Sequence, residues 1–326
     1  MESSAEDNSG KQPKPSKSFK QTLHDIYVHK YKTLLIIPIL MLVISFGIIG
    51  YYHFKTGEII PRDVSLKGGI ILTVPINAEV NPDVIYNSLS SKFPQNDITV
   101  RILRNVGKPA AIGIEADIKG DEKERIGSFL RAVESELGIE LSKVDYGLEV
   151  VGSSLGESFF RESIIALIVA FAFMGLVVFI YFRTLVPSLA IILAAFSDMV
   201  VALAVIHIMG VKIGTAGIAA FLMLIGYSVD TDILLTVRVL KRKEGTVMDR
   251  IFSSIKTGMT ETATAIVAVG VAMLVTQSEV IKEIMLILLI GLLADIINTW
   301  IQNVGLLRIY LERKERKKSH YSSQQK

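Results

Sequence analysis

Long apolar stretches constrain the fold of this chain more than any other feature of its sequence. A helix needs about 17 to 25 mostly apolar residues to cross the hydrocarbon core of a bilayer. One such stretch stands alone and five cluster in the second half of the chain. They cover approximately residues 34–54, 164–182, 186–208, 213–237, 262–276 and 284–307. We therefore predict a polytopic α-helical membrane protein with six transmembrane helices.

The composition agrees with a membrane location. Half of the 326 residues are hydrophobic (50%) and only 21% are charged, fewer than the solvated surface of a soluble protein of this length requires. The chain contains no cysteine, which excludes disulfides, thiolate metal sites and cysteine nucleophiles. Its net charge of +3 is too small to favour nucleic acid as a partner.

The positions of lysine and arginine predict the orientation, because these residues are enriched in short cytoplasmic loops. They cluster in residues 1–33, in the loop after the fourth stretch and in residues 309–326, whereas the opposite turns hold only Lys212 and Lys282. We expect a multi-pass protein of the cytoplasmic membrane with both termini in the cytoplasm, and the first stretch to remain as an anchor. We also expect residues 1–33 to be largely disordered, and anionic membrane lipids to attract the basic segments.

The polar segment 55–160 is long enough for one small extracytoplasmic domain. Four runs typical of strands (70–76, 98–103, 111–116 and 146–151) and two with helical spacing (82–93 and 121–137) give the order β-α-β-β-α-β. This order predicts an α+β ferredoxin-like domain between helices 1 and 2. We interpret it as a binding or docking module; a spacer without a ligand is the alternative. The remaining five helices would form a bundle over residues 161–308.

Four aspartates fall within predicted membrane helices: Asp198, Asp230, Asp232 and Asp295. A carboxylate at a helix centre costs about 2.5 to 3.5 kcal/mol, so such residues face the bundle interior and often mark proton pathways. Asp230 and Asp232 are separated by about 200° around a helix and cannot share one face. We expect Asp230 to face the third helix near Asp198. The four residues are candidates for a proton relay, and hydrogen-bonded structural links between helices are the alternative.

The fourth stretch contains Gly226-Tyr227-Ser228-Val229-Asp230, followed by Thr231, Asp232 and Arg238. Together with Lys67-Gly68-Gly69 after the first stretch, the outer domain and the five clustered stretches, this motif resembles the SecF-type members of the SecD/SecF family of protein-export membrane proteins. The family signature is approximately Gly-Tyr-Ser, an aliphatic residue, Asn-Asp-Thr, an aliphatic stretch and Asp-Arg. Here Asp230-Thr231-Asp232 replaces Asn-Asp-Thr and Val237 replaces the last aspartate, a variant that looks more archaeal than bacterial.

The resemblance implies an accessory subunit of the Sec protein translocase that pairs with SecD and assists a translocating preprotein at a SecYEG-type channel. It also implies the resistance-nodulation-division superfamily, in which proton-motive force moves outer domains through protonation of intramembrane acids. By that analogy, Asp198 and Asp230 bind and release protons. The resemblance implies no covalent chemistry and no cofactor.

Two other functions are compatible with the sequence. One is a stand-alone resistance-nodulation-division-like exporter of lipids or small hydrophobic molecules, although such exporters generally have twelve spans and two outer domains. The other is an assembly factor in which the aspartates only hold the bundle together. An enzyme is not expected, because the sequence has no nucleophile–base pair, phosphate-binding glycine loop or metal-ligand signature.

Overall fold

The computed structural model describes residues 27–76, 79–105 and 108–324. Its longer helices are α1 (Ile36–Thr56), α2 (Pro82–Lys92), α3 (Lys123–Leu137), α4 (Ser153–Phe182), α5 (Leu185–Met209), α6 (Thr215–Lys241), α7 (Val247–Val275), α8 (Glu279–Ile297) and α9 (Val304–Gln324). Its strands are β1 (Gly69–Pro75), β2 (Ile98–Asn105), β3 (Lys108–Ala116) and β4 (Gly147–Val151). A π-helical segment, Asn298–Asn303, joins α8 to α9. Most of the predicted disordered tail lies outside the described residues.

Five helices in the described part of the chain are long and apolar enough to cross a membrane. They are Tyr31–Thr56, which includes α1, and the helices α4, α5, α6 and α7. Each overlaps a predicted stretch. The sixth stretch corresponds to α8, the π-helical segment and the start of α9. It is not among the five, because the regular helix α8 has only 19 residues and includes Glu279, Lys282, Glu283 and Asp295.

The segment between α1 and α4, which we call the outer domain because we predict it to lie outside the cytoplasm, folds in the order β-α-β-β-α-β. Its four strands form one sheet in the order β2-β3-β1-β4, with every neighbouring pair antiparallel. Alternate residues of β1, namely Ile70, Leu72 and Val74, are fully buried, as the two-residue period of a strand requires. They pack in one core with Phe129 of α3. Every predicted strand and helix of this domain overlaps an observed element.

Local sequence determines where the elements of this domain begin and turn. The side chain of Asn81 caps α2 by accepting a 2.9 Å hydrogen bond from the Asp83 N–H, and Pro82 occupies the first helical position, where its missing N–H costs nothing. Gly68 has φ +82° and lies so close to the backbone of Ser153 that a Cβ would overlap it. The glycine pair thus turns the chain into β1 against the start of α4.

Helix α5 lies at the centre of the bundle and packs against α1, α6, α8 and the π-helical segment. Small residues allow these close approaches. Ala194 and Ala202 of α5 are fully buried, and a Cβ at Gly291 of α8 would overlap the Leu224 side chain of α6. The close packing brings polar side chains from α5, α6 and α8 together within the bundle.

Candidate functional site

Asp198 lies at the centre of a buried polar cluster. Its Oδ2 accepts a 2.5 Å hydrogen bond from the Ser228 hydroxyl of α6, and its Oδ1 accepts a 2.7 Å hydrogen bond from the Asn298 side-chain amide. All three side chains are fully buried. Asp198 therefore joins three segments of the bundle, and its carboxylate form is stabilised by two neutral donors.

Two further aspartates belong to the same cluster. Asp232 of α6 accepts a 2.7 Å hydrogen bond from the Asn303 amide, and Asp295 of α8 accepts a 2.8 Å hydrogen bond from the Thr299 hydroxyl. Asp232 is fully buried and Asp295 is 1% exposed. The charge of Asp295 acts on both Asp198 and Asp232. The three carboxylates therefore form one electrostatic unit, which we call the aspartate cluster.

The expectation that Asp230 faces Asp198 is wrong. Asp230 is exposed on the outer surface of α6, whereas Ser228 and Asp232 are fully buried. Residues four apart lie about 40° from each other around a helix, so Ser228 and Asp232 share a face, while Asp230 points about 200° away from both. The correct partner of Asp198 on α6 is therefore the face that carries Ser228 and Asp232.

The π-helical segment supplies the amides that sequence reasoning missed. A π-helical hydrogen bond joins residues five apart, which places Asn298 and Asn303 near one face. In a regular α-helix they would lie about 140° apart. Each of the two contacts a different aspartate. The visible signal was the run of polar residues Asn298, Thr299, Gln302 and Asn303 within an apolar stretch.

The aspartate cluster has no basic partner. Within residues 27–76, 79–105 and 108–324, no lysine, arginine or histidine forms a hydrogen bond or ion pair with its carboxylates. Among these aspartates and the asparagines that contact them, four buried side-chain oxygens also lack a hydrogen-bond donor: Asp232 Oδ2, Asp295 Oδ2, Asn298 Oδ1 and Asn303 Oδ1. Unpaired buried charges are very costly, so the three aspartates cannot all be ionised at once.

The other predicted residues of α6 lie around this cluster and not in it. Gly226 and Tyr227 are exposed, like Asp230, and Thr231 is buried. Arg238 donates 2.8 Å hydrogen bonds to the Ser253 carbonyl and the Thr257 hydroxyl. It therefore links α6 to α7 near the basic end of the bundle.

Comparisons with protein-family models and with known proteins point to one family. A family model described as "Protein export membrane protein SecD/SecF, C-terminal" matches residues 134–313. The chain belongs to the SecD/SecF family. It is 37% identical to the protein-export membrane protein SecF of Pyrococcus furiosus over 88% of this chain and 93% of the relative. It is 35% identical to SecF of Methanocaldococcus jannaschii over 89% of this chain and 99% of the relative.

A solved SecD/SecF-family structure shares the fold. The crystal structure of SecDF from Thermus thermophilus, a translocon-associated membrane protein, aligns with a TM-score of 0.66 and 17% identity. The alignment covers 88% of this chain and 38% of the SecDF chain. This chain, like its SecD/SecF relatives, is a multi-pass membrane protein.

A second polar cluster connects the outer domain to the bundle of this SecD/SecF-family chain. Asp97, which precedes β2, accepts hydrogen bonds of 2.9 Å from Lys67 and 2.7 Å from Lys212. Lys67 also pairs with Glu58 at 3.2 Å. Burial alone would raise the pKa of Asp97, but the two lysines outweigh it and hold that pKa below its ordinary value. We call Asp97, Lys67 and Lys212 the interdomain ion cluster.

Backbone and side-chain hydrogen bonds reinforce this connection. The Asp63 N–H donates to the Ile213 carbonyl at 3.0 Å, and the Ile213 N–H donates to the Pro61 carbonyl at 2.6 Å. The first turn of α6 is capped from other segments, because the Thr215 N–H donates to Ser65 Oγ and the Gly214 N–H donates to Glu283 Oε1. The start of α6 is therefore fixed to the segment that leads into the outer domain.

Proposed function

We propose that this chain is an accessory subunit of the Sec protein translocase that pairs with SecD and uses proton-motive force to assist preprotein translocation. The observation that carries the proposal is the aspartate cluster, in which three buried carboxylates have no basic partner among the described residues. Membership of the SecD/SecF family supports the role in export.

Protons are the simplest charge that this cluster can exchange. Asp198 accepts two hydrogen bonds, which offset part of the cost of burying its charge. Asp232 and Asp295 each have one buried oxygen without a partner, where a proton can reside. Loss or gain of a proton changes the repulsion between the carboxylates, and this change favours different arrangements of α5, α6 and α8.

Helix α6 provides a path from these carboxylates to the outer domain. It carries Asp232 near its middle, and its first turn is held by Ser65 and Glu283. The connector before α6 contains Lys212, which binds Asp97 of the outer domain. A shift of α6 in response to protonation would therefore move the outer domain relative to the membrane.

Asp230 supports pairing with a second membrane protein. It lies on an exposed face of α6 with Met223, Gly226 and Tyr227, and we call these four residues the partner face. An aspartate at a helix centre facing lipid costs about 2.5 to 3.5 kcal/mol, and a neighbouring helix with a polar group would remove that cost. We assign this face to SecD, and the outer domain and basic loops to contacts with the preprotein, a SecYEG-type channel and membrane lipids.

The proposed topology has six spans. The helix formed by α8, the π-helical segment and the start of α9 packs against α5 and α6, and would cross the membrane as the sixth span. Residues 1–33 and 309–326 would then lie in the cytoplasm and residues 55–160 outside it, with 161–308 as the bundle. The sheet order β2-β3-β1-β4 supports a ferredoxin-like assignment for the outer domain.

Two measurements test the proposal. The tagged chain is captured from gently solubilised membranes, and co-purifying chains are identified by mass spectrometry; recovery of a SecD-like chain is expected. Recovery of this chain alone would favour the stand-alone exporter. Preprotein translocation is then measured in membrane vesicles with and without a protonophore. Asp198→Asn should abolish the part of translocation that depends on proton-motive force. If that part were fully retained, an assembly factor would be favoured.

A further inference from the structure

An apolar cavity of about 190 Å³ lies between α4, α5 and α6 beside the segment that follows α1. Its wall includes Ile164 and Leu167 of α4, Phe196, Met199 and Leu203 of α5, and Phe221 of α6. No polar surface lines it. Water is not stable in such a cavity, because it needs two to four polar partners. An occupant must therefore be a hydrocarbon.

Phe196 marks the end of the cavity nearest the middle of the membrane. The Phe196 ring lies between Phe46 of α1 and Phe171 of α4, with ring centroids 6.2 and 6.3 Å away. Phe196 stands near the middle of α5, whose residues run from Leu185 to Met209. The wall formed by α5 runs only from Phe196 to Leu203, so the cavity lies in one half of the membrane thickness.

The opposite end is closed by the segment after α1. The Arg62 guanidinium lies over the Phe160 ring at 4.7 Å, and the Arg62 backbone forms a bridge with Ile213. Ile60 of the same segment contributes to the cavity wall. An occupant consequently enters from the side and not from the aqueous face.

The side between α1 and α4 is open towards the bilayer. Phe196 remains 38% exposed although α1 and α4 flank it, and Met199 and Leu203 are only partly buried. A lipid tail can enter from this side, because lipid tails are the solvent at this depth.

We propose that this cavity is a binding site for one hydrocarbon chain of a membrane lipid. The lipid belongs to the outer leaflet in the orientation given above, but the occupancy itself does not depend on the transport function. The bound chain fills the space between α1 and the bundle and packs against Phe196. The site thus makes a lipid part of the contact between the first span and α5.

Photocrosslinking tests this site in the full-length protein. The protein is placed in nanodiscs of phosphatidylcholine that contain a small fraction bearing a diazirine in the tail, and labelled residues are located by mass spectrometry. Labelling at Ile164, Met199 and Leu203 should exceed severalfold that at Ile44 and Val177, which are 52% and 60% exposed. Labelling in simple proportion to exposure would overturn the proposal.

Variants separate a bound chain from bulk lipid. Leu203→Trp fills the cavity and should remove the label from Ile164 and Met199, and the smaller change Met199→Phe should reduce it if Leu203→Trp does not fold. Leu193→Trp, on an exposed part of α5 outside the cavity, is the matched control and should leave the label in place. A label that survives both cavity variants, or that disappears when SecD is bound, would contradict lipid occupancy.

Discussion

The amide of Asn298 donates a 2.7 Å hydrogen bond to the carboxylate of Asp198, a residue 100 positions earlier in the chain. The donor belongs to the π-helical segment and the acceptor to the central helix α5. This contact makes the geometry of α8 and α9 sensitive to the charge of Asp198. Single-turn π-helical insertions are frequent at functional sites, and here the insertion supplies a donor to each of the three clustered aspartates, from Asn298, Thr299 and Asn303.

Gly258 tests the packing around the π-helical segment. A Cβ at Gly258 would overlap the Trp300 ring, so we expect Gly258→Ala to destabilise the protein by about 1 to 3 kcal/mol, as overpacking does. Gly270 lies in the same helix, and a methyl group added there would meet nothing within 4 Å, which makes Gly270→Ala the matched control. Thermal unfolding in detergent measures both. Equal unfolding temperatures for the two variants would contradict the close contact with Trp300.

The interdomain ion cluster predicts a specific pH dependence. Burial lowers the pKa of Lys67, but hydrogen bonds and charge from Asp97 and Glu58 outweigh this effect, so the pKa lies above its ordinary value. The pKa of Asp97 lies below its ordinary value. A depressed carboxyl pKa contributes stability above the unfolded value of about 3.9, and this contribution is lost as pH falls through the folded value.

We therefore expect the distance between the outer domain and the start of α6, to which the ion cluster joins it, to stay constant from about pH 5 to pH 9. Spin labels on the outer domain and at the start of α6 would measure this distance. Asp97→Asn should broaden the distance distribution at every pH, with a modest loss of stability of about 1 kcal/mol or less for these partly exposed pairs. A transition near neutral pH that Asp97→Asn abolishes would contradict the assignment.

Gly226 tests the partner face. A Cβ at Gly226 meets nothing within 4 Å, so Gly226→Ile should leave the isolated chain folded. It should nevertheless weaken SecD capture severalfold, because a larger side chain prevents close approach of a second helix. Gly270→Ile is the control, since Gly270 has equal space and lies on another helix. Equal recovery of SecD with both variants would place the partner elsewhere.

The outer domain was predictable because alternate residues of β1 and β3 are buried and α2 has a clear start signal. Ile70, Leu72 and Val74 follow the two-residue period, and Asn81-Pro82 begins α2. The apolar stretches likewise predicted five of the observed long helices. These features are local, so a single sequence contains the information.

The aspartate cluster was only partly predictable. Helical periodicity shows that Asp230 and Asp232 face opposite directions, but not which of them faces the bundle. Ser228 shares a face with Asp232, a signal that could have selected Asp232. The contacts of Asn298 and Asn303 depend on the π-helical segment, and no local pattern fixes the switch from α-helical to π-helical hydrogen bonding.

The most direct test of the account is translocation driven by proton-motive force in vesicles that contain Asp232→Asn. Asparagine preserves the size of the side chain but cannot carry a proton. We therefore predict that the protonophore-sensitive part of translocation is lost, while the amount of the protein and of its complex with SecD stays unchanged. Asp145→Asn, in an exposed loop of the outer domain, is the matched control and should retain that part. Full protonophore-sensitive translocation with Asp232→Asn, together with its loss in Asp230→Asn, would contradict a relay in the buried cluster and assign it to the exposed face of α6.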